Sequence, residues 1–185
     1  MAKFIEGEVR MLYIARHGQT VWNAQNKVCG ITDVELTEKG IEQAKALAIA
    51  VVDKNINVII SSPLKRAVET SRIVSDICNI PIKIDARLIE QNYGIYEGVD
   101  RKDEAFLNNK RNFAYKYPNG ESMMQVAYRV YGLIDEMKDQ YKDKNVLIIS
   151  HGGVCRVINT YFRDMTNEEF FNYTLQNGEL EVYEI

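Results

Sequence analysis

Met11-Leu12-Tyr13-Ile14-Ala15-Arg16-His17-Gly18-Gln19-Thr20 passes within ten residues from a continuous apolar run to a polar pentapeptide. A short apolar run closed by a glycine turn predicts a strand buried on both faces. Its polar residues then arrive at the C-terminal edge of a sheet, where open α/β sheets bind their ligands. The chain holds two histidines, and His17 is one of them. The other, His151, follows a second run of the same kind, Asn145-Val146-Leu147-Ile148-Ile149-Ser150, and is also trailed by glycine. A lone histidine is by default a satisfied packing residue. Two strand-end histidines, each followed by glycine, are read as functional groups.

Strands and helices alternate around these two runs. Val21 to Leu36 reads as a loop. Thr37 suits an N-cap, and Ile41, Ala44, Ala48 and Val51 mark one helical face after it. Asn57 to Ser61 is a short strand. Pro63 sits at a helix start, with Leu64, Ala67, Val68, Val74, Ile77 and Cys78 continuing at helical spacing. Pro81 to Ile84 reads as another strand. From Glu121 a long amphipathic helix is expected, with Met124, Ala127, Val130, Ile134 and Met137 inward. A further helix spans about Val154 to Phe162. Glu179 to Ile185 alternates, with Leu180, Val182 and Ile185 apolar, and suggests a closing edge strand. The pattern predicts an α/β fold, a three-layer α/β/α sandwich with a mostly parallel central sheet. The 185 residues fit one domain, 1–185.

Composition narrows the function. Apolar residues make up 46% and charged residues 26%, and the net charge is −3. That balance provides no general attraction to nucleic acid or an anionic membrane, so an anion site must be local. Cys29, Cys78 and Cys155 are odd in number and far apart, which suggests neither a disulfide framework nor a zinc motif. Residues 1–8 lack the apolar core of a signal peptide, and no run approaches a membrane span. Reduced thiols and a cytoplasmic setting are expected.

Charged residues fall beside the strand ends. Arg16 precedes the first histidine. Arg66 lies one turn into the helix that follows Ser61-Ser62-Pro63-Leu64-Lys65. Guanidinium groups offer paired donors that match phosphate oxygens, and a helix N-terminus adds backbone donors. Two such groups beside two histidines predict an anion pocket. Glu90, in Leu88-Ile89-Glu90-Gln91-Asn92-Tyr93-Gly94, is an ordinary loop charge alone and a candidate general acid beside such a pocket.

Five blocks then carry a resemblance: Arg16-His17-Gly18-Gln19-Thr20 with Trp22-Asn23, Ser61 to Ala67 with Glu69-Thr70, Glu90 with Gly94, Gly120-Glu121-Ser122, and Ser150-His151-Gly152-Gly153. In this order they resemble the histidine phosphatase superfamily, the phosphoglycerate mutase-like family. Ile89 and Glu35 depart from the family pattern, where Arg and Pro are common. The resemblance implies that His17 is a nucleophile forming a phosphohistidine, with a second ring nitrogen bonded to a backbone carbonyl. It implies that Arg16, Arg66, His151 and Asn23 hold phosphoryl oxygens. It implies that Glu90 protonates the leaving alkoxide and later activates water. Gln19, Thr20, Cys29, Gly30 and Gly152 would line the pocket. No cofactor and no metal are expected, and the partner is a small phosphorylated metabolite. A homodimer is compatible with the sequence.

Phosphatase and mutase share this set. A mutase must exclude water and hold a substrate carboxylate under an enclosing lid. Residues 99–119 resemble instead the short helical cap of phosphatase relatives. Arg101, Lys102, Lys110, Arg111 and Lys116 within them read first as a solvated helix face. The expected activity is therefore metal-independent hydrolysis of a phosphomonoester. Phosphoglycerate mutase, and a non-catalytic module that binds a phospho-ligand, stand as alternatives.

Overall fold

The computed structural model describes residues 10–185. Five strands form one sheet in the order β3-β2-β4-β1-β5: β1 (Met11–Arg16), β2 (Ile56–Ser61), β3 (Ile82–Ile84), β4 (Asn145–Ser150) and β5 (Leu180–Glu184). β1 pairs parallel with β4, β4 with β2, and β2 with β3, while β5 closes the edge antiparallel to β1. The order places the two histidine-bearing strands side by side. Arg16 pairs with Ser150, so His17 and His151 emerge together at the same edge.

Alternation within each strand feeds two cores. Leu12, Ile14, Val146 and Ile148 point to one face, where they meet α5 (Met123–Gln140) and α6 (Gly152–Phe162). Tyr13, Ala15, Leu147 and Ile149 point to the other, against α2 (Glu38–Val51) and α3 (Lys65–Cys78). A strand covered on both faces must be apolar throughout, which is why β1 and β4 read as continuous runs. Each fully buried Ile or Leu contributes about 2 kcal/mol of apolar transfer. Helices on both faces of a mostly parallel sheet make the expected α/β/α sandwich.

The element boundaries show where local signals misled. The 21–36 segment contains a one-turn helix, α1 (Val21–Ala24), capped by Thr20 and Asn23 in a reciprocal pair. α5 starts at Met123 because Ser122 and Gln125 form a capping box. With that start, Val126 and Leu133 join Val130, Ile134 and Met137 inward, and Met124 turns outward. Ile77 likewise ends exposed on α3. On β5 the inward apolar residue is Tyr183, while Val182 lies on the open edge. Two further short helices, α4 (Glu104–Lys110) and α7 (Asn167–Asn172), were not marked by periodicity. Among the described residues no helix is long and apolar enough to cross a membrane. The segment read for a signal peptide lies outside the described residues, apart from its surroundings at Arg10.

Candidate active site

The backbone N–H of His17 donates to Ser150 O at 3.0 Å, tying the turn after β1 to the end of β4. Gly18 then runs against α2. A Cβ there would stand 2.2 Å from Gly40 O, so only glycine permits the approach. The turn is bolted from the other end of the chain by Asn177, whose Nδ2 donates to His17 O at 2.9 Å.

Both rings are buried, with centroids 5.1 Å apart. His17 Nδ1 lies 2.7 Å from Gly18 O, which can only accept, so Nδ1 carries the proton and Nε2 keeps its lone pair. The expected bond to a main-chain carbonyl is therefore present. Arg66 inserts its Nε–H between the rings, 3.2 Å from His17 Nε2 and 3.2 Å from His151 Nδ1. His151 Nε2–H in turn donates to Ser62 Oγ at 2.7 Å. Desolvation by burial, then the charge of Arg66, holds both imidazoles well below the ordinary histidine pKa.

Arg66 is positioned by a loop with no periodic signal. Its terminal nitrogens donate to Thr32 O at 2.9 Å and Gly30 O at 2.6 Å. That loop is gathered by Glu97, which accepts from the N–H groups of Gly30, Ile31 and Thr32. Arg16 donates to Leu175 O at 2.9 Å, and its Nε is a buried donor without a partner. Such an orphan donor beside a cavity suits an incoming anion.

Glu90 follows a 3₁₀ turn, Ala86–Leu88, that Ser150 Oγ–H holds through Leu88 O at 2.8 Å. Its carboxylate is buried and accepts from the N–H of Gln91 at 2.9 Å and of Gly153 at 3.0 Å, in the first turn of α6. A Cβ on Gly153 would lie 2.5 Å from Glu90 Oε1, so this contact needs glycine. Among the described residues no arginine or lysine ion-pairs with Glu90.

A cavity of about 140 Å³ opens over His17. Arg16, His17, Asn23, Cys29, Glu90 and Gly152 line it, as the sequence suggested. Asn23 Oδ1 accepts from Thr20 N–H and from Asn177 Nδ2 at 3.2 Å, which turns its own amide N–H groups toward the cavity. The Cys29 thiol is kept protonated by burial. Arg66 and His151 do not reach the cavity wall. Both are fully buried, with Arg66 Nε against His17 Nε2 at 3.2 Å and His151 Nε2 2.7 Å from Ser62 Oγ. Three other residues of the expected set make hydrogen bonds within the surrounding framework. Gln19 bonds Thr37 at the start of α2, Thr20 caps α1, and Gly30 presents its carbonyl to Arg66. The outer wall consists of residues that sequence reasoning did not place there: Tyr93, Arg101, Phe106, Lys110 and Arg156. Among the described residues no group of three His, Cys, Asp or Glu side chains could share a metal ion.

Comparison with known proteins identifies the family. Residues 12–185 match the family model of the histidine phosphatase superfamily, branch 1. The chain is 31% identical, over 92% of its length and 87% of the relative's, to a Hydrogenobacter thermophilus protein named "Putative phosphoserine phosphatase 2". It is 34% identical, over 76% of its length and 69% of the relative's, to an Escherichia coli protein named "Probable phosphoglycerate mutase GpmB". Among solved structures, the mycobacterial glucosyl-3-phosphoglycerate phosphatase complexed with VO3 superposes with a TM-score of 0.85 at 25% identity, covering 94% of this chain and 90% of that one. The chain belongs to the histidine phosphatase superfamily, branch 1, an enzyme family of phosphatases and phosphoglycerate mutase-like proteins.

Proposed function

We propose that the protein is a phosphomonoester hydrolase that works through a phosphohistidine at His17, without a metal, on a small phosphorylated metabolite. The observation that carries this reading is the tautomer of His17. Its Nδ1–H is committed to Gly18 O, and Nε2 is unprotonated beside Arg66 and the cavity. A neutral, buried imidazole with a fixed lone pair is an activated nucleophile.

In the first step Nε2 attacks phosphorus and the P–O bond to the alcohol breaks. Glu90 gives its proton to the departing oxygen. In the second, water attacks phosphorus, the P–N bond breaks, and Glu90 takes the proton of that water. Arg16, with its orphan Nε–H, the amide of Asn23 and the start of α6 bear the negative charge of the transferring group. Arg66, 3.2 Å from Nε2, supplies positive charge beside the nucleophile and releases its hydrogen bond to that nitrogen as phosphorus arrives. His151 acts through Arg66 as a positioning residue. Residues 1–185 act as one domain on this reading, with 99–119 as a cap that supplies the outer cavity wall. Three free cysteines support a cytoplasmic setting.

The test is His17→Ala, assayed for turnover and for acid-labile phosphate trapped on the protein. Loss of both is expected. Retained phosphorylation of the variant would overturn the assignment. A mutase reading is favoured by one observation, the cationic outer wall of the cavity. Phosphorus NMR of 3-phosphoglycerate separates the two: the phosphatase releases inorganic phosphate, while a mutase builds up the 2-isomer.

A further inference from the structure

Of the five sequence blocks, Gly120-Glu121-Ser122 has no part in the chemistry described so far. Ser122 caps α5, and that cap does not involve the glutamate before it. Glu121 instead meets Arg129, in the second turn of α5. The two groups join through paired bonds, Arg129 Nε to Glu121 Oε1 at 2.9 Å and Nη2 to Oε2 at 3.0 Å. Their side chains are only 20% and 15% exposed. A pair so far removed from water adds little net stability, because desolvation offsets the attraction. The planar fork of the guanidinium fixes direction instead.

The pair grips the Glu90 turn from both sides. Ahead of Glu90, Arg129 Nη1 donates to Arg87 O. Beyond it, Gln91 Nε2 donates to Glu121 O at 3.0 Å, and the Glu121 N–H donates to Asn92 O at 2.8 Å. The Asn92 N–H donates to Glu121 Oε2 at 3.4 Å. Between these anchors lies the Gln91 N–H that binds the Glu90 carboxylate. Residues 89–93 belong to no helix or strand, so bonds of this kind set their path. Neither Glu121 nor Arg129 lines the cavity.

We infer that Glu121 and Arg129 are positioning residues for Glu90, a clamp that aims its carboxyl group at the leaving oxygen without touching the substrate. The inference rests on the phosphatase reading above and deepens it. Misplacing a reacting group by about 1 Å costs about 10²-fold in rate, so a clamp two residues removed from the acid reaches the chemical step.

The test compares burst rates of phosphorylation by glycerol 3-phosphate and by p-nitrophenyl phosphate. Arg129→Met should slow the alkyl ester by about 10²-fold and the aryl ester far less, because p-nitrophenolate leaves without a proton. A merely structural role would slow both alike. Glu121→Gln keeps the backbone bonds to Gln91 and Asn92, so it gives the same reading with less disturbance of the fold. In a Glu90→Gln background neither substitution should lower the alkyl rate further, since no acid is left to aim. An unchanged alkyl rate, equal losses on the two esters, or a loss that persists in full without Glu90 overturns the positioning role. Each of these leaves the phosphatase reading, which stands on His17, intact. Failure of either ester to phosphorylate the wild type sinks that reading, and the positioning role with it.

Discussion

Arg66 donates one Nε–H toward His17 Nε2 at 3.2 Å while the same hydrogen faces His151 Nδ1 at 3.2 Å. Burial first, and then this single fixed charge, keep two imidazoles neutral at once. Protonating either ring would place a second positive charge against the guanidinium at a buried position. The relationship ties the nucleophile's protonation state to the stability of the fold.

The first prediction follows from its sign. Both histidines have folded pKa values well below their unfolded ones, through burial first and Arg66 second. Below about pH 6.5 the unfolded chain takes up protons that the folded chain refuses, so stability falls as pH falls. Between pH 7 and pH 5.5 the two rings together should cost roughly 2 kcal/mol. Urea unfolding at the two pH values, wild type against a His17→Gln/His151→Gln double variant, measures it. An equal pH dependence in both proteins would disprove the linkage.

The second concerns Glu90. An alkoxide leaves poorly without a proton, whereas p-nitrophenolate leaves readily. Glu90→Gln should lower the burst rate of phosphorylation by alkyl phosphates about 10²- to 10⁴-fold, and that by p-nitrophenyl phosphate far less. The alternative, in which Glu90 only orients an arginine, already lacks the ion pair it requires. Equal losses on both substrates would remove Glu90 from the acid role.

The third concerns Asn177. Its Nδ2 donates to both His17 O and Asn23 Oδ1, so it sets the turn of the nucleophile and the face that Asn23 shows the cavity. Asn177→Ala should lower kcat/KM by roughly tenfold, mostly in kcat. The losses from Asn177→Ala and Asn23→Ala should not add, because the two residues share one hydrogen-bond chain. Strict additivity would show that they act separately.

The strand-end placement of His17 and His151, and that of Arg66 at the start of the helix after β2, was legible in the sequence because burial on both sheet faces forces an apolar run, and its end is where polar residues reappear. Glu90 was legible only as a charge near a pocket, since no periodicity governs a turn. Arg156 was hidden for a different reason. It lies on a helix that is buried on most sides, where an arginine reads as a surface residue until its neighbours are known. Glu97 and Asn177 act through backbone groups far away in sequence, and no spacing rule reports such contacts. Gln19 and Thr20 belong to the pentapeptide, and their bonds to Thr37 and Asn23, which hold its turn and the α1 cap, are not signalled by spacing. On α5 Val130, Ile134 and Met137 face inward as expected, while Met123, Val126 and Leu133 complete that face and Met124 falls outside it.

The bolt from the far end of the chain has a consequence for how activity is born. His17 O is held by Asn177, Arg16 by Leu175 O, and the backbone of Arg16 by Gly178 and Glu179. These partners are made about 160 residues after the groups they fix. A growing chain thus exposes the turn after β1 long before the partners that hold it have been synthesised. On the phosphatase reading, catalysis awaits the docking of β5 beside β1, and a chain arrested before residue 175 should be an inactive product.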